Sequence, residues 1–373
     1  MTSRKPTQGA YVHLPWCRHR CHYCSFNVHV DRAPPQVAYT QALLSQWGAM
    51  QPLFGEVDSL YFGGGTPSLH PPDQLARVIS ALSPQSEVTL EANPSSTSLA
   101  SIGAWQSAGI TRLSLGVQTF DEHHTRFLHR AHSAAEAITL LETVAAAGFR
   151  SFSADLIFAL PGQTLAQLDR DLDRLLSVEV PHVSLYGLTA HPGTWLGRAV
   201  DSGRVALPDE DTWEAMYLHI VARLQDAGLE RYEVSNFARP GHRSQHNEAT
   251  WRGLPYVGLG AGAHGFTPQG VRTLGTADPA AFIADPLSWE EESAAPEQLA
   301  LDLLLSTLRH VDGVPLDRLR ATGFTLDVNA IRPHLDRGTL RLEDGHLRLG
   351  PGGWTLADGL TLAAASALHA AVT

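Results

Sequence analysis

Cysteine is scarce in this chain: 373 residues contain 3. So small and odd a number excludes a disulfide-stapled scaffold and suits a reducing compartment. Positive charge is also short. Lys and Arg number 27 against 38 Asp and Glu, a formal net charge of −11. A nucleic-acid surface needs basic patches that displace counterions, so nucleic acid is not an expected partner. No apolar run is long enough to span a bilayer. Residues 1–10 hold no apolar stretch, so no signal peptide is expected. The expected location is cytoplasmic, with peripheral membrane contact and a homodimer left open. Core-forming material is plentiful: 43% hydrophobic and 17% charged residues describe an ordinary globular chain. The length predicts two or three domains, or one barrel with an appendage.

All three cysteines fall in Tyr11-Val-His-Leu-Pro-Trp-Cys17-Arg-His-Arg-Cys21-His-Tyr-Cys24. Three thiolates can hold three irons of a [4Fe–4S] cluster. The fourth iron then has no protein ligand and can chelate a small molecule, as an open zinc position admits water or substrate. The competing reading is a zinc site that adds His13, His19, His22 or His29. Structural zinc sites usually carry a second cysteine pair far downstream, which this chain lacks.

Short apolar runs alternate with helical patterns. Strands are expected at 11–14, 58–62, 87–91, 112–117, 152–158 and 182–188, and helices at 36–47, 72–82, 98–108, 134–147 and 165–176. Such alternation predicts βαβ units and a parallel sheet. Near-continuous apolar strands fit a sheet covered on both faces. Six units give an α/β fold, a partial (β/α)6 barrel.

In such sheets chemistry sits at the carboxyl ends of the strands. Gly63-Gly64-Gly65 closes the second strand, Glu91 the third and Gln118 the fourth, and Asp155 lies in the fifth. Singly, each has an ordinary explanation: a turn glycine, a solvated carboxylate, an amide satisfying a loop. Four on one rim, beside a cysteine loop, point to a ligand site.

The Cys-x3-Cys-x2-Cys spacing is the hallmark of the radical S-adenosylmethionine (SAM) superfamily. Further motifs narrow the resemblance: Tyr61-Phe-Gly-Gly-Gly-Thr-Pro67, Glu91-Ala-Asn-Pro94, Leu115-Gly-Val-Gln-Thr-Phe120, Asp155-Leu-Ile-Phe-Ala-Leu-Pro-Gly162 and Tyr232-Glu-Val-Ser-Asn-Phe-Ala-Arg-Pro-Gly241. From about residue 11 to 264 the chain resembles the oxygen-independent coproporphyrinogen III oxidase-like branch, and within it the HemW-type heme chaperones. The resemblance implies a [4Fe–4S] cluster on Cys17, Cys21 and Cys24. It implies SAM contacts from Tyr11, near the adenosine, and from Gly64, Gly65 and Thr66 at the methionine end. Glu91, Gln118, Arg130 and Asp155 complete that implied set, with Arg130 the natural partner of a carboxylate. The chemistry implied is one-electron cleavage of SAM to methionine and a 5′-deoxyadenosyl radical, which the cofactor carries and the protein positions.

The departures from the oxidase favour the chaperone. The oxidase has a further cysteine two residues after the third, where this chain has Ser25-Phe26, and a longer N-terminal extension than the 16 residues before Cys17. The family pattern His-Asn-x-x-Tyr-Trp is here His246-Asn-Glu-Ala-Thr250-Trp251, with Thr250 at the tyrosine position. By resemblance His246 is the heme histidine, and imidazole is a common axial ligand. An ordinary role, satisfying a loop, stands beside it. Gly258-Leu-Gly-Ala-Gly-Ala-His264 lacks the context of a dinucleotide fingerprint and reads as a close-approach loop.

The expected domains are residues 1–265, a barrel with its extension; 266–295, a linker; and 296–373, a helical, winged-helix-like unit. In that last unit helices are expected at 297–308, 316–321 and 329–335, a hairpin at 339–349 and an amphipathic stretch at 354–370. Its acidic balance favours packing or protein contact over DNA. The expected function is that of a heme chaperone holding a [4Fe–4S] cluster, SAM and heme, with heme-accepting proteins as partners. Two alternatives stand: a radical SAM enzyme acting on a porphyrin or another small molecule, and a redox or storage iron–sulfur protein without SAM.

Overall fold

The computed structural model describes residues 8–371. The sequence expectation for residues 1–7 lies outside these. A chain of βα units leads: β1 (Gly9–Leu14), α1 (Gln36–Phe54), β2 (Ser59–Gly64), α2 (Pro72–Leu82), β3 (Glu87–Ala92), α3 (Leu99–Ala108) and β4 (Arg112–Gln118). It continues through α4 (Glu122–Phe127), α5 (Ala134–Ala146), β5 (Ser151–Phe158), α6 (Leu165–Ser177) and β6 (His182–Gly187). Strands β1 to β6 are parallel and adjacent in chain order. This is the expected α/β barrel of six units.

Local chemistry explains the helix starts. Ser98, Ser133 and Thr164 each accept from the backbone three residues on, in reciprocal capping boxes that open α3, α5 and α6. In α6, Leu168, Leu172 and Leu175 fall on one face and are buried. Their spacing of four and three is the helical period. The main core joins these helix faces to both sides of the sheet, with Tyr39, Trp47, Phe62 and Trp105 as its large members.

The sheet extends beyond the six strands. After α7 (Trp195–Asp201) and α8 (Glu210–Asp226) come β7 (Glu230–Arg231), β8 (Asn236–Ala238), α9 (Gln245–Trp251) and β9 (Tyr256–Leu259). Strand β9 pairs parallel with β1, and β8 pairs antiparallel with β6. The glycine-rich run, expected as a loop, therefore begins inside a strand.

Residues 266–295 do not form a linker. They hold the last residue of β10 (His264–Phe266) and all of β11 (Val271–Gly275), α10 (Pro279–Ala284) and β12 (Trp289–Ser293). The three strands continue the sheet outward from β9 in antiparallel order, giving 12 strands in all. Phe282 of α10 is fully buried, 5.0 Å from the Tyr39 ring. The composition misled because β12 is an edge strand whose three glutamates face water. Charge on an edge strand blocks further pairing and erases the apolar signal.

A second apolar cluster gathers α11 (Pro296–Thr307), α12 (Leu316–Ala321), α14 (Ala357–Ser366) and the hairpin Leu340–Glu343 to His346–Leu349. Between them lies α13 (Arg332–Asp336). Asp344 and Gly345 both take positive φ, as a two-residue hairpin turn requires. The expected 354–370 stretch divides into α14 and a short strand, Leu368–Ala370, paired with Phe324–Leu326. This region docks on the barrel. Arg318 donates to the carbonyls of Arg252 and Gly253 at 2.6 and 2.9 Å, and the Arg231 guanidinium lies 4.0 Å over the Trp354 ring. No described helix is long and apolar enough to cross a membrane.

Candidate functional site

The cysteine loop leaves the carboxyl end of β1 and is tied down along its length. Gly65 N donates to Leu14 O and Thr66 N to Trp16 O, both at 2.9 Å. A side chain at Gly65 would put Cβ 2.7 Å from Trp16 O and 2.8 Å from the Pro15 carbonyl carbon. Glycine is the residue that allows this approach. Farther on, His22 N donates to Leu128 O and Leu196 N to His22 O. Asn27 Nδ2 donates to Ala261 O and Ala277 O, anchoring the loop to the glycine-rich run and to the segment expected as a linker.

Under this loop lies a cavity of about 400 Å³. Cys17, Cys21, Cys24, Gly64, Gly65, Thr66, Glu91, Gln118, Arg130 and Asp155 all line it. The rim inferred from strand ends is therefore one wall of one cavity. Register explains the convergence: Glu91 stands beside Ser114 across β3 and β4, and Asp155 beside Ser184 across β5 and β6.

Burial dominates the electrostatics of the cavity wall. Burial pushes Glu91 up to about 7, helped by the negative Asp155 nearby. Tyr61 donates to Glu91 Oε1 at 2.9 Å. Burial pushes Asp155 up to about 6, against hydrogen bonds from Ser184 and Ser114. Burial also raises Cys17 to about 11, opposed by the Thr66 hydroxyl, which donates to its sulfur at 3.4 Å. It disfavours the Cys21 thiolate too, but His19 and Arg130 outweigh it and hold that thiol below its ordinary value.

Arg130 is the pivot of the wall. Its Nη2 donates to Asn93 Oδ1 and to Gly116 O, the latter at 2.7 Å. Its Nη1 reaches Cys21 Sγ and the Tyr23 hydroxyl, each at 3.5 Å. Its buried Nε has no partner among the described residues. Buried donors are rarely left so. The wall thus offers two protonatable carboxyls for positive groups, an unpaired guanidinium N–H for an acceptor, and three sulfurs for metal. No three or more described Cys, His, Asp or Glu side chains are gathered as one metal ion requires. Thiolates serving three separate irons need no such common point.

Two expected residues are elsewhere. Tyr11 does not line the cavity; it lies behind it, stacked on Tyr61 at 6.2 Å with its hydroxyl 3.0 Å from His13 Nδ1. His246 lies deeper, at the opposite ends of β1 and β2. It is 7% exposed, stacked on Tyr61 at 5.2 Å, with Nδ1 3.4 Å from the Ser59 hydroxyl. Burial lowers its pKa to about 4. That surrounding matches the loop-satisfying, structural role and walls the ring off from the cavity. The reading from sequence missed Asn93, Ser114, Gly116, Tyr23 and Tyr186, which also line the cavity. Only Asn93 carried a signal, in the Ala-Asn-Pro turn after β3.

Comparison with known proteins agrees with this geometry. The Radical SAM superfamily model matches residues 11–175. Heme chaperone HemW of Bacillus subtilis is 34% identical over 83% of this chain and 86% of its own length. Heme chaperone HemW of Escherichia coli is 33% identical over 89% of this chain and 90% of its own. The mitochondrial radical S-adenosyl methionine domain-containing protein 1 of Danio rerio is 39% identical over 70% of this chain, but only 61% of that longer protein is spanned. In structure, the coproporphyrinogen III oxidase HemN of Escherichia coli superposes over 97% of this chain and 91% of its own with a TM-score of 0.79, at 20% identity, a likeness of fold. A cysteine triad over a carboxylate-lined barrel mouth, with relatives aligned along most of their length, makes this chain a member of the radical SAM superfamily and, within it, of the HemW heme chaperone family.

Proposed function

We propose that this protein binds heme and passes it to acceptor proteins, with a [4Fe–4S] cluster on Cys17, Cys21 and Cys24 and SAM in the cavity beneath. The observation that carries the reading is the cysteine loop and its cavity in a chain whose relatives are named heme chaperones. The cluster and SAM, when bound, supply one-electron chemistry; the residues supply position and charge. Gly64, Gly65 and Thr66 offer backbone polar groups at close approach. Glu91 and Asp155 would ionise fully against the ammonium and sulfonium of SAM, which offsets their burial. The unpartnered Arg130 Nε–H suits a carboxylate. Gln118, left-handed at φ 71, turns its amide toward the same space. A reducing, cytoplasmic setting suits the free thiols.

One experiment separates this reading from its rival, an enzyme acting on a porphyrin. After anaerobic reconstitution, hemin and, separately, coproporphyrinogen are added with SAM and a reductant. The chaperone retains heme and leaves coproporphyrinogen intact. Decarboxylated product with no heme retention would overturn it. Cys17→Ala, Cys21→Ala and Cys24→Ala should each fail to hold four irons. Asp155→Ala should bind SAM at least about tenfold more weakly, since a lost charged hydrogen bond costs roughly 1.5–3 kcal/mol.

A further inference from the structure

The barrel has a second polar end. Glu87, Arg112 and Ser151 are the first residues of β3, β4 and β5, so they gather at the amino ends of the strands, opposite the cysteine loop. With Arg150, Arg243 and Gln245 they line a small pocket of about 10 Å³. Space of that size holds about one water-sized body. No residue of this pocket lines the cavity under the cysteine loop.

The Arg112 guanidinium is the unusual member. Its side chain is 2% exposed, and its Nε and Nη2 have no hydrogen-bond partner among the described residues. Glu87 is the one carboxylate on the pocket wall, and its Oε2 stands 3.9 Å from Arg112 Nε, too far for a hydrogen bond. The other oxygen of Glu87 is engaged elsewhere. It accepts from Gln245 N at 3.1 Å and from the Thr89 hydroxyl at 3.3 Å. A buried guanidinium left without acceptors is costly and rare.

Charge at this end is one-sided. Three guanidinium groups face one carboxylate on the pocket wall. Arg243 is shared with Glu248, which it meets at 3.1 Å, and Arg150 is exposed. His242, with Nδ1 3.1 Å from the Ser151 hydroxyl, registers the excess. Burial first, and then the charges of Arg112, Arg239 and Arg150, hold its imidazole below the ordinary value. A water molecule would satisfy the orphaned N–H groups but leave this charge uncompensated. An anion does both.

We propose that this pocket binds one small inorganic anion, a halide or a phosphate oxygen, held by Arg112 from within and by Arg150 and Arg243 at its mouth. Guanidinium N–H groups are fixed donors that match such acceptors. The amino ends of barrel strands serve stability rather than chemistry, so the anion is a structural ligand. The site is independent of the heme-binding reading above.

The test follows thermal unfolding of the full-length, cluster-reconstituted protein at pH 7, as sodium chloride, bromide or phosphate replaces sodium gluconate at constant ionic strength. A ligand of the folded chain raises the melting temperature with its concentration. The expected result is a saturable rise whose midpoint moves several-fold higher in Arg150→Ser. Arg320→Ser, which removes an exposed charge of α12, should leave the midpoint where it is. Arg112→Gln, checked for folding by circular dichroism, should lose the response. A lower midpoint for chloride than for phosphate identifies a halide site, and the reverse an oxyanion site. Crystals grown in bromide should show an anomalous peak beside Arg112. A response to chloride, bromide and phosphate no different from that to gluconate, or an ordinary water and no bromide in the pocket, overturns the proposal.

Discussion

Arg130 Nη1 donates to the Cys21 sulfur at 3.5 Å while Nη2 of the same guanidinium holds the Gly116 carbonyl at 2.7 Å. One side chain thus joins the cysteine loop to the barrel rim. From sequence, Arg130 was expected only at a carboxylate of SAM. Its position makes it a determinant of thiolate formation as well, because a neighbouring positive charge favours the ionised thiol.

Arg130→Ala should therefore lower cluster loading as well as SAM affinity. Iron per protein after reconstitution at neutral pH is the measurement, and loading should recover at higher pH, where Cys21 ionises unaided. Asp155→Ala, which touches no cysteine, should keep its iron. Full iron in both variants would remove the second role from Arg130.

Gly116 is expected to be intolerant of any side chain. A Cβ there would stand 2.7 Å from Asn93 Oδ1 and 3.1 Å from both Arg130 Nη2 and Gln118 Nε2. Such crowding costs about 1–3 kcal/mol. Gly116→Ala should fold, by circular dichroism, yet bind SAM at least several-fold more weakly in equilibrium dialysis. Unchanged affinity would show that the wall yields without cost.

The buried carboxyls set a pH dependence for the cofactor-free protein. Glu91 moves from 4.5 to about 7, chiefly by burial and then by Asp155, and Asp155 moves from 3.8 to about 6, chiefly by burial. Between those limits the folded chain keeps protons that the unfolded chain has released. Stability is greatest below pH about 4 for these groups and is lost as pH rises through about 7. Glu91→Gln keeps the Tyr61 acceptor but removes the charge. It should unfold at a higher temperature than wild type at pH 8, and the difference should vanish at pH 4. A gap independent of pH would contradict the burial argument.

His246→Ala should destabilise by about 1–3 kcal/mol, as loss of a packed buried ring does. Urea unfolding reads this directly. Because the ring stacks on Tyr61, which in turn donates to Glu91, a smaller secondary loss of SAM affinity is expected. A variant as stable as wild type would mean that His246 is not a packing residue.

Much was legible from residue order alone. The six strands and their helices showed because alternating buried strands and amphipathic helices write their periods into the chain, as Leu168, Leu172 and Leu175 do in α6. Spacing within one loop brought Cys17, Cys21 and Cys24 to one cavity, since neighbours in sequence stay neighbours in space. Strand-end position brought Glu91, Gln118 and Asp155 to one wall, because parallel strands present their carboxyl ends together. The outer strands were not legible: β12 is held by backbone pairing that any side chain permits, and its glutamates hide it.

Contacts between distant segments belong to the tertiary structure alone. Sequence placed His246 in a heme motif, yet whether that ring faces a ligand or a core depends on how α9 meets β1 and β2. The pocket of Arg112, Arg150 and Arg243 joins residues 38 to 131 positions apart, beyond the reach of any local pattern. Gly116 looked like a strand glycine until Asn93, Arg130 and Gln118 converged on the space its missing side chain leaves. Local periodicity is a property of consecutive residues, whereas burial, charge environment and the unpaired donors of a guanidinium are set by whichever segments the fold brings against them.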